Sequence, residues 1–325
     1  MRVLVTGAAG FLGSHLVDRL VTDGHQVVAV DNLSTGTLDN LADARRANLH
    51  RRGAFRFVRL DVRDGGLRDV FLAERPEVVY HLAGHPDPAS SLDDPQRSAG
   101  VTVLGTVNLL DSCVAAGSRK VVYASSATIH GCPEQVPVTE RAGVDPLTPY
   151  AAAHAAVEEF LTAYRASHSL DYTVLTVANT YGPRQSPYPG YGVVAVFAHR
   201  MLAGLPTEIR GDGTQRRDFI HVDDVVDAFA RFGGDVASGR RLNVATGVAT
   251  SVRDVHYRIA TAVGSPDQPR HVAADRMAVA ALALDPRAAR QLGWEPYTPL
   301  DTGIPATVRW IRQAFTRYTA PRRRD

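Results

Sequence analysis

The feature that most constrains the fold is Gly7-Ala8-Ala9-Gly10-Phe11-Leu12-Gly13, which directly follows the apolar run Arg2–Thr6. The spacing is G-x-x-G-x-x-G. Glycine permits a tight turn, lets the backbone approach a bound group, and lets the next helix pack closely on the strand. Helical apolar spacing resumes at once over Phe11–Val21. A strand, a glycine turn and a helix in this order put free N–H groups and a positive dipole end where a pyrophosphate is held. Asp31 closes the next apolar run, Gln26–Asp31, roughly 20 residues on. A carboxylate there accepts hydrogen bonds from the adenosine ribose hydroxyls and repels a 2′-phosphate, so the expected cofactor is NAD rather than NADP. Asp61, at the end of the third run, Phe55–Leu60, is placed to reach the adenine edge.

Further β-branched runs follow at Glu77–Leu82, Lys120–Ala124 and Tyr172–Ala178, with helical spacing between several of them, as at Val101–Ala116. Strands joined by helical crossovers predict a parallel sheet covered on both faces. The expected fold class is therefore α/β, a Rossmann-type doubly wound sheet with a smaller, mixed C-terminal region. Residues 1–180 read as the NAD-binding domain. Residues 181–325 read mainly as a substrate-binding region, with some segments returning to the sheet. Arg184–Gly192, rich in Pro, Gly and Tyr, reads as an ordered loop. Beyond it the pattern predicts a helix at Val193–Ala203, strand pieces near Phe219 and Leu242, and helices at Val252–Val263 and Pro305–Tyr318.

Composition removes several function classes. The chain has 325 residues and is 45% hydrophobic, enough for a sizeable core. Its net charge of +2 is too balanced for a nucleic-acid binder that works by neutralising phosphates. The basic tail Arg322–Arg324 reads as a frayed terminus. Two cysteines, Cys113 and Cys132, exclude a disulfide scaffold and a four-cysteine zinc site, and the histidine spacings match no zinc pattern. No stretch resembles a membrane span, and MRVLVTG reads as a strand rather than a signal peptide. A soluble, cytoplasmic protein without a metal is expected.

Several segments together resemble the extended short-chain dehydrogenases, specifically the nucleotide-sugar epimerases and dehydratases. They are VTGAAGFLGSHL, VDNLSTG, LDVRD, HLAG, VVYASSATIHG, PLTPYAAAH, NTYGPRQ, GDGTQRRDFIHVDDV and LGWEP, spanning Met1 to roughly Ile311. VDNLSTG and SSAT look most like the UDP-hexose 4-epimerase branch. The resemblance implies that Gly7, Gly10, Phe11, Leu12 and Gly13 hold NAD, together with Asp31, Asn32, Ser34, Thr35 and Gly36. Asp61, Val62, Leu82, Ala83 and Gly84 join that set. It also implies a chemical plan, in which a tyrosinate takes the proton of a sugar hydroxyl while NAD oxidises the same carbon. Tyr150 matches the family tyrosine, and Ser126 matches the hydroxyl residue that holds the oxygen. Ser126 is read just past the C-terminal end of the fifth strand, where open α/β sheets bind ligands. Asn179 and Arg217 match residues near the sugar and the diphosphate, and Arg276 matches a further phosphate contact. The expected partners are a UDP-sugar and a second copy of the chain.

The sequence departs from the family where the chemistry is densest. Four residues after the tyrosine the family has lysine, but this chain has His154. Residues i and i+4 share a helix face, so His154 still faces as Tyr150 does. A neutral imidazole can bond the nicotinamide ribose, but it lowers the tyrosine pKa only when protonated. His130 stands where the family has tyrosine, and His85 follows HLAG. Ala127-Thr128 replaces the acidic pair of the dehydratases, which favours epimerisation at C4. The alternatives are 4-ketoreduction or an atypical dehydration with His154 or His130 as the acid/base, or a non-catalytic sensor of NAD or a sugar nucleotide.

Overall fold

The first two strands and the helix between them set the frame. Strand β1 is Arg2–Thr6 and β2 is Gln26–Asp31, and they pair in parallel across the helix Phe11–Thr22. Strands β3 (Phe55–Arg59), β4 (Val78–His81), β5 (Lys120–Ser126) and β6 (Asp171–Val177) follow. A computed structural model of the chain describes residues 1–188, 190–274 and 279–319, with side chains to residue 314. Arg276 lies outside the described residues.

Two short strands leave the first sheet: β7 is Asn179–Tyr181 and β8 is Glu208–Arg210. They are followed by β9 (Arg216–His221), β10 (Arg240–Val244), β11 (Ala249–Ser251), β12 (Arg270–Val272) and β13 (Ala281–Leu282). The main sheet runs β10-β6-β5-β4-β1-β2-β3, and every neighbour pair in it is parallel. This is the doubly wound α/β arrangement. Its strand order reverses beside β1, so the C-terminal ends of β1 and β4 diverge into a crevice, the site such sheets offer to ligands. The chain returns to the main sheet after residue 180, because β10 pairs with β6 from Arg240 to Val244. Strand β9 is the middle of a second sheet with β7, β11 and β13, while β8 and β12 pair separately.

Apolar side chains pack on both faces of the main sheet. One face carries Val3, Val5, Leu16 and Leu20 with Phe229 and Trp294 from the later part of the chain. The other carries Leu4, Val79, Val121 and Tyr123 under Leu109, Val157 and Leu161. A third cluster, around Phe197, Val255 and Ile304, fills the C-terminal region.

Three boundaries differ from the sequence reading by two residues or more. Strand β5 runs two residues further, because its pairing with β6 continues to Ser126 opposite Val177. Ser126 is thus the last residue of the strand rather than just past it. The helix read at Val101–Ala116 begins earlier, at Pro95, with the Asp94 carboxylate accepting the Arg97 N–H at 2.9 Å. It passes through a π-helical turn at Gly100–Leu104 before continuing to Ala116. That stretch, Pro95–Ala116, is long and apolar enough by length and composition to cross a membrane, which the sequence reading did not register. The last helix starts at Leu300, ahead of Pro305, with the Gly303 N–H already bonded to the Pro299 carbonyl at 2.9 Å.

Candidate active site

The glycine turn closes tightly on the chain's own backbone. Gly7 has φ +65°, and a Cβ there would stand 2.9 Å from the Ala83 nitrogen at the end of β4. A Cβ on Gly13 would lie 2.0 Å from the Gly7 carbonyl oxygen, so only glycine lets the helix sit this close. The helix Phe11–Thr22 starts with no side-chain cap and no acid in its first turn. The first helical N–H with an acceptor is that of Ser14, bonded to the Gly10 carbonyl at 3.1 Å. Phe11, Leu12 and Gly13, all lining the cleft, therefore offer the uncommitted N–H groups that bind anions.

Asp31 shapes this turn as well as lining it. Its two oxygens accept the Ala9 N–H at 2.9 Å and the Leu33 N–H at 2.7 Å. Burial raises its pKa, and those two backbone bonds pull it back. A carboxylate has about four lone-pair sites, so each oxygen can still accept one hydroxyl. Asn32 donates to Asp61 at 2.8 Å, and the Arg63 fork grips the same carboxylate at 2.9 Å through each of two nitrogens. The Arg63 bonds lead in holding Asp61 well below the usual carboxylate range.

Beneath Ala83 runs a buried chain of hydrogen bonds that the sequence did not disclose. The Thr106 hydroxyl donates to the Thr102 carbonyl, so His81 Nε2 must donate to Thr106, at 2.8 Å. His81 Nδ1 then accepts from the Thr6 hydroxyl at 2.7 Å, and Thr6 accepts the Ala83 N–H at 3.2 Å. Burial pushes the His81 pKa down to about 3, so the ring is neutral and the chain is static. It fixes the β4 end against the glycine turn.

Tyr150 sits one residue into the helix Pro149–His168, behind Pro149, with Thr148 capping at 3.2 Å. Its phenol is raised above the ordinary value by burial and lowered by a hydrogen bond from Ser126. Ser126 also meets the Thr128 hydroxyl at 2.9 Å. His154, one turn on, packs its ring against Tyr150 edge-on at 4.5 Å between centroids. Burial brings its pKa down to about 4, so it is neutral at physiological pH and adds no charge beside Tyr150.

Two cavities meet at this pair. The larger, about 370 Å³, runs from the glycine turn and Asp31 past Leu82, Ala83 and Gly84 to Ser126, Tyr150 and His154. Asn32, Ser34, Thr35, Asp61 and Val62 line it too. The smaller, about 240 Å³, continues from Ser126 and Tyr150 to Thr128, Asn179, Tyr191 and Phe219. Among the described residues no carboxylate, imidazole or basic side chain lines the smaller cavity.

Three candidates from the sequence stand elsewhere. Gly36 lies behind the cleft, where a Cβ would strike the Ala9 carbonyl carbon at 2.5 Å. Arg217 lines neither cavity and spends Nη1 on the carbonyls of Arg216 and Val279, at 2.7 and 2.8 Å. His130, a candidate acid/base in the alternative readings, is buried with Nδ1 on the Gly143 carbonyl at 3.0 Å and lines neither cavity. In contrast, Gln185 and Tyr191, both unflagged, line the two cavities from the loop after β7.

Residues 3–245 match the model of the NAD dependent epimerase/dehydratase family. The chain is 46% identical over 314 residues to a UDP-glucose 4-epimerase of Mycolicibacterium smegmatis, covering 96% of this chain and 99% of that one. It superposes on the UDP-glucose 4-epimerase of Thermotoga maritima, solved with UDP-glucose, with a TM-score of 0.91 and 35% identity. That match covers 97% of this chain and 100% of the other. The Thermus thermophilus UDP-glucose 4-epimerase, solved with NAD, gives a TM-score of 0.88 and 36% identity, again over 97% and 100%.

Proposed function

The chain belongs to the NAD-dependent epimerase/dehydratase family, and from that membership we propose that it is a UDP-hexose 4-epimerase, interconverting UDP-glucose and UDP-galactose. The observation that carries the reading is the junction of the two cavities. Tyr150 and Ser126 line both, and among the described residues the smaller cavity offers no carboxylate or imidazole beside them. Elimination of water needs further proton donors and acceptors at neighbouring sugar carbons. Inversion at C4 needs one group that takes and returns a proton.

The larger cavity suits NAD by its own chemistry. A glycine turn closed tightly on its own backbone, an uncapped helix start and the Asp31 carboxylate match a pyrophosphate joined to an adenosine ribose. When bound, NAD supplies a reversible two-electron acceptor for sugar C4. Tyr150, as phenolate, accepts the C4 hydroxyl proton and later returns it to the same oxygen. Ser126 holds that oxygen by a hydrogen bond. Ala127, Ala178, Gly190 and Gly192 keep the wall of the smaller cavity low, which leaves room for a 4-keto sugar to turn its other face. His154 takes the place of the family lysine as a neutral contact to the cofactor.

Retention of both hydroxyl residues at the junction supports turnover over a passive sensor. A homodimer and a cytoplasmic location belong to the same reading. Of the most apolar 18-residue window in Pro95–Ala116, 39% is buried. Leu104 is 65% exposed there, and Phe160 stands 38% exposed on the adjoining helix. A second copy would cover this surface. Incubation of the purified protein with UDP-glucose should yield UDP-galactose, equal in mass and different in retention. Tyr150→Phe should keep NAD and lose turnover. A product lighter by one water would contradict the epimerase reading.

A further inference from the structure

Strand β5 and the helix Pro149–His168 are joined by two polar rungs inside an otherwise apolar layer. Successive same-face residues on a strand and residues four apart on a helix both repeat at about 6 Å, so two such pairs can stay in register. The first rung joins the Tyr123 hydroxyl to His154 Nδ1 at 2.6 Å. The second joins the Ser125 hydroxyl to the Glu158 carboxylate at 2.6 Å, and Arg241 pairs with the same carboxylate. The first has a consequence for the cofactor cleft.

We propose that Tyr123 is a positioning residue that fixes the ring tautomer of His154, so that His154 presents a neutral Nε2–H donor to the cofactor cleft. The argument starts from the phenol. Tyr123 is 1% exposed, its ring set between those of His81 and His154 at 5.7 Å from each. Burial raises its pKa far above the ordinary value, so the oxygen keeps its hydrogen. Among the described residues the hydroxyl has one hydrogen-bond partner, His154 Nδ1. His81 cannot serve, because its two nitrogens are committed to Thr6 and Thr106. If Nδ1 carried the imidazole hydrogen and donated it to Tyr123, the phenol hydrogen would be buried without an acceptor. Nδ1 therefore accepts, and the single hydrogen of the neutral ring sits on Nε2. His154 lines the cleft, and Nε2 is the nitrogen not turned toward the core. A donor at that position suits a ribose hydroxyl oxygen. An imidazole reaches less far than a lysine side chain and has one donor in place of three, so its orientation has to be set from behind. Tyr123 sets it.

The inference rests on the reading of His154 as a cofactor contact, and the test separates the two. In protein labelled with ¹⁵N-histidine, two-bond ¹⁵N–¹H correlations report which ring nitrogen is protonated, with His154 assigned by its loss in His154→Gln. The expected pattern is Nε2–H. An Nδ1–H pattern in the unsubstituted protein overturns the proposal, and this readout needs no change at Tyr123. By calorimetry, Tyr123→Phe should weaken NAD binding about fivefold, the weight of one hydrogen bond. In a His154→Lys background, where no tautomer remains to be set, the same Tyr123→Phe change should leave NAD affinity unaltered. An equal loss in both backgrounds would mean that Tyr123 acts through general packing, and would overturn the proposal. If His154→Ala binds NAD as tightly as the unsubstituted protein, the cofactor contact itself is refuted, whatever the tautomer.

Discussion

At the scale of the residue, the chemistry turns on a neutral histidine beside a buried tyrosine. Each unit by which a charge lowers a tyrosine pKa corresponds to about 1.4 kcal/mol of differential stabilisation. His154, with its pKa brought down to about 4 by burial, contributes no such charge above pH 5, and burial itself pushes Tyr150 upward. The phenolate form of Tyr150, the proposed base, is therefore scarce at neutrality. We expect kcat/KM to rise with pH above neutrality, and His154→Lys to move that rise to lower pH. A flat profile between pH 7 and pH 9 would contradict the assignment of Tyr150 as base. The substitution at position 154 was legible because its neighbours match a motif. Tyr123 was not. A tyrosine in an apolar strand reads as core, and its partner lies 31 positions away in the chain.

At the scale of the element, the strand, glycine turn and helix at the N-terminus could be read in advance because their demands are local. Gly7 needs a left-handed backbone, and Gly13 needs the absence of a Cβ within a few residues of its own position. Gly13→Ala should therefore disturb the turn and weaken NAD binding by an order of magnitude or more, since the clash is with backbone that cannot swing aside. Calorimetric titration with NAD checks this, and undiminished affinity would show that the turn relaxes freely. The second sheet was legible only as strand pieces. Its strands β7, β11 and β13 have three, three and two residues, too few to show a period, and their pairing with β9 joins distant segments. Asp94 and Pro95, which start the helix, lie ahead of Gly100, where the apolar spacing that marks Val101–Ala116 has not yet begun. Arg217 matched a motif, yet its guanidinium is bonded to nearby carbonyls, a commitment set by tertiary packing.

At the scale of the whole molecule, one sheet holds the dinucleotide cleft and β10 brings the later part of the chain back to it. The two parts share a core, which couples the buried histidines to global stability. His154 has a folded pKa of about 4 against 6.5 in the unfolded chain, so the unfolded state binds the proton first as pH falls. Its stabilising share is full above pH 6.5 and is lost as pH drops toward 4. Between pH 7 and pH 5 the loss is about 2 kcal/mol. His81, depressed to about 3, adds to the same trend. The urea midpoint should fall over this range, and the fall should shrink in His154→Gln; an equal fall in both would refute the contribution of His154. If the proposed homodimer forms over Leu104, Leu104→Glu should give a monomer in sedimentation with the fold retained, and an unchanged sedimentation coefficient would refute that surface. The account as a whole depends on Tyr150 and Ser126 performing a redox-neutral inversion in which hydrogen leaves C4 and returns to C4. The most direct measurement uses UDP-glucose carrying deuterium at C4, with the product read by mass and by NMR. The account predicts UDP-galactose of unchanged mass with the deuterium still at C4. A dehydrated product, or deuterium lost to solvent or moved to another carbon, would contradict it.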